Sequence, residues 1–368
     1  MTVRLTTPEG SALDIADGRI VPATGRPALS IALGPGELRP GLINAHDHLH
    51  RNHYPRLGSP PYPDAYAWGN DLHRRYADQI ARARTFPPRD ALLFGALKNL
   101  LGGATTVVHH DFWDSAFDHG FPVRVVRLRT AHSLGFETEL GLAARAEEHT
   151  GRPLCMHVAE GVNRQAADEV RLLAERGLLD RRLIAVHVVG VDEEGTRRLA
   201  GAGAAIVWCP TSNLFLFGRT APADLFASGM DVLLGTDSLL TGAGTLLDEL
   251  VAARRMGRLD NRRLIEAVGP TAARRLGVPV PSLAPGVAAD LVHLRRPLPD
   301  AQPGDVSLVL VAGRPRLADE SFARLFAHCN IATEPLTVRG HRMLVEAPLG
   351  TVAASAVALT PECGRVLA

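Results

Sequence analysis

The chain has 368 residues, 46% of them apolar and 21% charged, which is close to the globular average and enough for two domains or one large α/β barrel with an addition. Forty Lys and Arg oppose 39 Asp and Glu, a net charge of +1, so there is no electrostatic footprint for nucleic acid or an anionic membrane surface. There is no apolar run of about 18 residues to span a membrane, no apolar stretch of a signal peptide in MTVRLTTPEG, and no C-x-x-C pair among Cys155, Cys209, Cys329 and Cys363, so the expectation is a soluble cytoplasmic protein without a disulfide framework.

The first 38 residues read as short strands, Thr2–Leu5, Leu13–Ile15, Arg19–Val21 and Ser30–Leu33, punctuated by Gly and Pro. A helical run over Asp90–Leu101 is followed by strand patterns at Ala104–His110 and Val123–Arg129. From there apolar β-branched runs alternate with amphipathic stretches: Leu154–Val158 then Gln165–Glu175, Leu183–Val189 then Glu193–Ala202, Ala204–Trp208, and Val232–Gly235 then Leu246–Met256. The far end returns to short strands, Asp290–Leu294, Ser307–Val311, Thr337–Val338 and Met343–Glu346. Near-continuous apolar strands between helices imply a parallel sheet covered on both faces, and a middle of roughly 240 residues fits an α/β (β/α)8 TIM barrel of about 250. Each chain end is too short for a core of its own. The expected organisation is therefore a barrel over 39–281 and one small β-sandwich domain built from 1–38 and 282–368. The stretch from His110 to Leu154 is too short for βα units of about 30 residues each, so the barrel is expected to be distorted and shortened around 111–135.

His46 and His48, in Pro40-Gly-Leu-Ile-Asn-Ala-His46-Asp-His48, are two apart on a strand and share a face. The pattern alone is weak, but its position strengthens it. His157 ends the strand Leu154–Val158, His187 ends the next, and Asp237 ends the run Val-Leu-Leu-Gly-Thr-Asp. Strand ends one, five, six and eight thus deliver His or Asp to one rim, where barrel active sites sit. Imidazole and carboxylate suit one divalent metal ion, zinc first, with iron or manganese as alternatives. All four tyrosines (Tyr54, Tyr62, Tyr66, Tyr76) and Trp68 fall just after the first barrel strand and read as a lid over a planar or hydrophobic small molecule. His109 or His110 could also reach the rim, but adjacent residues alternate faces, so at most one points inward. Cys155 reads as a small core residue.

These pieces, with His157-Val-Ala-Glu160, Cys209-Pro-Thr-Ser-Asn213, Gly235-Thr-Asp237 and Pro285-Gly-Val-Ala-Ala-Asp-Leu-Val, resemble the amidohydrolase superfamily. The closest likeness is to its branch of cytosine, guanine and adenosyl-nucleoside deaminases and triazine chlorohydrolases. The resemblance implies His46, His48, His157 and Asp237 as metal ligands, with His187 beside the metal, touching its water or the substrate. It implies Glu160 as a proton carrier between water and a ring nitrogen, with Asp237 sharing that work, and His132 as a substrate contact. His110 and Trp68 are added as substrate-binding candidates. Members with two metals bridge them with a carboxylated lysine at the end of the fourth strand. Lys98, the only lysine, lies in a helical run and cannot serve, which leaves a single-metal site. The implied activity is hydrolysis at a C–N centre of a small heterocycle, most simply deamination by water activated on the metal. The alternatives are cyclic-amide opening, a chlorohydrolase-like displacement, or a non-catalytic scaffold. No nucleic-acid or membrane partner is expected, and a homodimer is compatible with the composition.

Overall fold

Parallel strands form the barrel in two arcs. The structure, a computed structural model, describes residues 2–23, 25–147 and 151–368. One arc holds the first three barrel strands, Leu42–Asp47, Ala104–His109 and Arg124–Val125. The other holds the fourth to eighth, Arg129–Ala131, Leu154–Val158, Leu183–His187, Ala205–Trp208 and Val232–Leu234. The fifth and sixth strands, LCMHV and LIAVH, are buried at every position, because helices cover their outer face and side chains fill the interior. Helices Arg164–Glu175, Glu193–Gly201 and Leu246–Met256 follow their strands as the sequence predicts. Ile43, Val108, Cys155, Ile184, Val207 and Leu233 pack the inside. Burial pushes the Cys155 thiol up to about 12, so it stays protonated and acts as a small core residue.

The barrel is shortened where the sequence predicts it. The strand expected over Val123–Arg129 is two short strands, Arg124–Val125 and Arg129–Ala131, with 126–128 between them and no helix. Among the described residues no ladder joins these two strands. His110 spans the gap instead, its Nε2 lying 3.0 Å from the carbonyl of Ala131. The opposite seam is closed by backbone: the amides of Thr236 and Asp237 both donate to the carbonyl of His46, at 3.0 and 3.1 Å.

The two chain ends meet in a β-sandwich. One sheet runs Arg19–Val21, Ala12–Ala16, Val3–Thr6, Leu29–Ala32. The other runs Thr333–Val338, His341–Glu346, Arg314–Asp319, Val306–Val311, Leu291–Leu294, Glu37–Pro40. Leu5, Ile15 and Ile31 from the first share one buried cluster with Leu291, Leu310 and Phe326, which neither end could build alone. The chain leaves the second sheet at Gly41 and enters the first barrel strand. A Cβ at Gly41 would stand 2.1 Å from Thr105 Oγ1, so glycine is required for that close crossing. The strand Arg314–Asp319 and the helix Leu349–Leu359 have no counterpart in the sequence reading. The helix sequence LGTVAASAVAL carries as polar residues only Thr351 and Ser355, on its exposed face, while Leu349, Val352 and Ala353 pack into the barrel's outer core. Among the described residues no helix is long and apolar enough to cross a membrane.

Candidate metal centre

The strand ends bring their chemistry to one point. His46, His48 and His157 each present a ligand atom within 4.8 Å of the others. His46 Nε2 and His157 Nε2 are 3.3 Å apart. Asp237 Oδ1 lies 4.0 Å from His46 Nε2 and 3.8 Å from His48 Nε2. Donors about 2.1 Å from a tetrahedral ion stand about 3.4 Å apart, so these four atoms fit one divalent ion.

Outer partners fix where the ring protons lie. His157 Nδ1 is 2.8 Å from the carbonyl of His132, and His48 Nδ1 is 3.2 Å from Asp111 Oδ2. Neither acceptor carries a proton, so each Nδ1 donates and each Nε2 lone pair faces the centre. Burial, reinforced by neighbouring imidazoles, holds His46 and His157 well below the usual histidine range. They stay neutral, which is the ligating form. Asp237 Oδ2 accepts from Ser212 Oγ at 2.8 Å and Thr241 Oγ1 at 2.7 Å, while Oδ1 accepts from the Ser238 amide at 2.7 Å. Burial alone would raise Asp237, but His48, His187 and the two hydroxyls outweigh it and hold the carboxyl at about 2.

Glu160 is the opposite case. Burial first, then the charges of Asp237, Glu169 and Asp64, push it well above the carboxylate range, which favours its protonated form. Its Oε1 is 3.5 Å from His187 Nε2. His187 Nδ1 is 2.8 Å from Asn213 Oδ1 and donates to it, which leaves Nε2 a buried acceptor with no hydrogen-bond partner. The loop carrying Glu160 is tied to the segment after the first barrel strand. The Ala65 amide donates to Glu160 O at 2.9 Å, and Glu169 accepts from the Ala159 amide and from Tyr66 OH.

A cavity of about 180 Å³ opens above the cluster, with Trp68, Leu72, Phe136 and Leu240 as apolar walls and His132 beside His157. Trp68 Nε1 donates to the Leu57 carbonyl at 3.0 Å, which steadies the ring. Of the aromatic stretch, Trp68 lines this cavity, whereas Tyr62, Tyr66 and Tyr76 brace the segment that carries it. Tyr62 OH donates to Asp71, Tyr66 OH to Glu169, and Tyr76 OH bonds Ser59. His110, expected as a substrate contact, is not on the cavity wall. It packs against His157 with ring centroids 4.3 Å apart, held there by its bond across the barrel gap. His109 Nδ1 accepts from the Leu49 amide at 3.2 Å. A larger cleft of about 970 Å³ lies at the N-terminal ends of the strands, walled by Gly41, Thr105 and Pro153, and holds none of this chemistry.

Residues 126–316 match the amidohydrolase family, just over half of the chain. The chain belongs to that family. At the level of sequence it is similar to the 5-methylthioadenosine/S-adenosylhomocysteine deaminase of Pyrococcus furiosus, 30% identical over 205 residues, 46% of this chain and 48% of the relative. It is also similar to the aminodeoxyfutalosine deaminase of Deinococcus radiodurans, 36% identical over 135 residues, 35% of this chain and 32% of the relative. The matches thus span about half or less of the length of these curated relatives. Two solved structures share the fold. A zinc-bound adenosine deaminase from Xanthomonas campestris gives a TM-score of 0.66 at 18% identity, over 89% of this chain and 96% of the other. A triazine hydrolase from Arthrobacter aurescens gives 0.70 at 18% identity, over 97% and 99%.

In this family member, several groups at the site have roles that motifs alone do not assign. Asp111 follows the second barrel strand and orients His48. Asn213 and Ser212 sit side by side at the start of helix Pro210–Phe217 and hold His187 and Asp237. The run Cys209-Pro-Thr-Ser-Asn213 carried their signal. Phe136 and Leu240 carried none, because a lone apolar residue in a loop reads as packing.

Proposed function

We propose that this chain is a single-metal hydrolase that deaminates a small planar heterocycle and releases ammonia. The observation that carries the reading is the Glu160 carboxyl, driven towards its protonated form by burial, 3.5 Å from the unpartnered His187 Nε2 and beside the convergent donors of His46, His48, His157 and Asp237. Both curated relatives named above are deaminases, which supports it. His46, His48, His157 and Asp237 would hold the ion, and zinc is the ion found in the Xanthomonas deaminase. When bound, the ion supplies Lewis-acid activation of water and of the carbon under attack.

The chain's own groups then manage the protons. The apolar walls of Trp68, Leu72, Phe136 and Leu240 sandwich a planar ring and exclude bulk water. Glu160 gives its proton to the ring nitrogen next to the attacked carbon. As the new C–O bond forms, His187 Nε2 takes one proton from the water, and Asp237 relays it towards the leaving nitrogen. Its neutral tautomer makes His187 a proton acceptor first, so it stabilises developing negative charge on oxygen only after it is protonated. The C–N bond breaks, the leaving nitrogen takes that proton, and ammonia departs. The water's second proton restores Glu160.

The test is ammonia release from a panel of amino-purines, amino-pyrimidines and amino-pterins, with metal content measured on the same sample. One ion per chain and ammonia from a panel member is the expected result. A second reading, displacement of another leaving group, has the triazine hydrolase likeness in its favour. Turnover of chloro-triazines or cyclic amides with no ammonia from any amino-heterocycle would replace the first reading with it.

A further inference from the structure

The one lysine of the chain is not on the surface. Lys98, on helix Pro88–Leu101, is fully buried beneath the metal donors. Its ammonium has three acceptors in reach: Asp47 Oδ2 at 3.1 Å, Thr236 Oγ1 at 2.8 Å and the carbonyl of Asp237 at 2.7 Å. An ammonium has three protons, so each finds a partner. These partners are not arbitrary places in the fold. Asp47 is the residue between His46 and His48, and Asp237 is the fourth donor. Thr236 Oγ1 also bonds the Asp237 carbonyl, at 2.8 Å, and accepts from Asn44 Nδ2 at 2.8 Å. Asn52 Nδ2 donates to Asp47 Oδ1 at 2.9 Å, while its Oδ1 accepts from the Leu239 amide at 3.1 Å. Asn99 Nδ2 donates to Asp47 Oδ2 at 2.7 Å. The result is a buried, hydrogen-bonded lattice that spans the first and eighth barrel strands.

Asp237 has φ of +55°, a left-handed backbone that places its carbonyl down toward the lysine and leaves its carboxylate with the imidazoles above. A left-handed Asp persists where its surroundings over-determine it. Here two donors from one side, Lys98 Nζ and Thr236 Oγ1, bond the same carbonyl. Ordinary stability does not call for a buried charge pair at this place, since apolar residues of similar size often do as well.

We propose that Lys98 is the positioning residue of the metal centre. It locks the Asp237 peptide to Asp47 and thereby sets the spacing of Asp237 from His46 and His48, and with it the affinity for the ion. The inference rests on the metal reading of the site but not on the identity of the substrate.

Two experiments test it, with zinc and cobalt(II) as probes. Lys98→Met alone strands the Asp47 carboxylate, so the decisive variant is Lys98→Met with Asp47→Asn, which removes both charges together. Metal dissociation constants come from chelator competition at a temperature well below the melting of either apo-protein. The paired variant is expected to bind zinc about 10–100-fold more weakly, the usual worth of a partner behind a ligand. Its cobalt(II) visible spectrum should differ from wild type. Wild-type affinity and an unchanged cobalt spectrum would overturn the proposal, even if the variant melts earlier. Should the variant not fold, wild-type protein grown on ¹⁵N-lysine serves, because Lys98 is the only lysine. Its single side-chain ammonium signal should move when zinc is added, and a signal that stays put would refute the coupling. If wild-type protein binds no zinc at all, it is the metal reading that fails, which is a separate outcome.

Discussion

Two carboxyls at this site sit within one cluster and are driven to opposite protonation states. Asp237, held by two hydroxyls and facing imidazoles, is pushed towards its ionised form, whereas Glu160, buried among other carboxylates, is pushed towards its protonated form. In the proposed mechanism that split gives the metal and the proton to different residues. Glu160→Gln keeps the size and removes the transferable proton, so turnover should fall by about 10²–10⁴ while bound zinc is unchanged. His157→Ala should lose zinc and turnover together. Metal analysis of both variants decides this, and near-full turnover by Glu160→Gln on the true substrate would end the deaminase mechanism. Asp111→Asn should weaken zinc binding without abolishing it, by about 10-fold or more, because His48 loses the carboxylate that fixes its tautomer. The sequence made the donors legible through position: His46 and His48 are two apart, and His157, His187 and Asp237 each close an apolar strand. Asp111 was legible as a strand-end residue that could reach the rim, but its role and that of Lys98 stayed hidden for a physical reason. Each acts through another residue across the barrel, and no local spacing encodes that.

At the scale of elements, the long periodic segments read correctly and the crowded ones did not. Helix Leu246–Met256 matches its predicted bounds because charged residues mark its outer face and Thr245 with Asp248 caps its start. Val123–Arg129 failed as one strand because an apolar run carries no mark of where a short barrel breaks. Helix Leu246–Met256 also carries Glu249, fully buried, which accepts from the amide and hydroxyl of Thr211 at the start of helix Pro210–Phe217. Burial raises it from an ordinary 4.5 to about 8, with the Thr211 bonds opposing the shift. The unfolded chain therefore loses this proton near pH 4.5, while the folded protein keeps it up to about pH 8. The folded state binds more protons in that window, so this group's contribution makes stability fall as pH rises through it. Glu249→Gln has no proton to lose, so its melting temperature should decline less between pH 5 and pH 8 than that of wild type. Parallel melting curves across that range check the slope, and identical slopes would mean that Glu249 ionises normally in the folded protein.

Across the whole molecule, the last segment of the chain reaches back to the site. Arg365, in the turn Pro361–Val366, donates to the carbonyls of Leu239, Gly242 and Ala243. Arg56, from the lid side, donates to the same Gly242 carbonyl at 2.6 Å. The loop they grip follows Asp237 directly, and it carries Thr241, whose hydroxyl holds Asp237 Oδ2. Burial lowers Arg365 to about 10, which still leaves it charged at neutral pH. The clamp thus couples the C-terminal segment, the segment after the first barrel strand and the proposed metal donor Asp237 through one loop. Arg365→Ala strips the Leu239 and Ala243 carbonyls of this donor, while Gly242 keeps Arg56, and should cost roughly 1–3 kcal/mol of stability. The functional effect should be the more telling one. With its loop loosened, Thr241 holds Asp237 less firmly, so zinc affinity should fall several-fold although Arg365 touches no donor. Bound zinc stabilises the native state by mass action, by about 2.7 kcal/mol at one hundred times its dissociation constant. The melting temperature gained on adding zinc should therefore be smaller in Arg365→Ala than in wild type at the same zinc concentration. Arg365→Lys can reach the same carbonyls with a single ammonium and should recover part of that gain. An Arg365→Ala protein that melts lower but gains as much from zinc as wild type would show that the C-terminal segment braces the fold without reaching the metal centre.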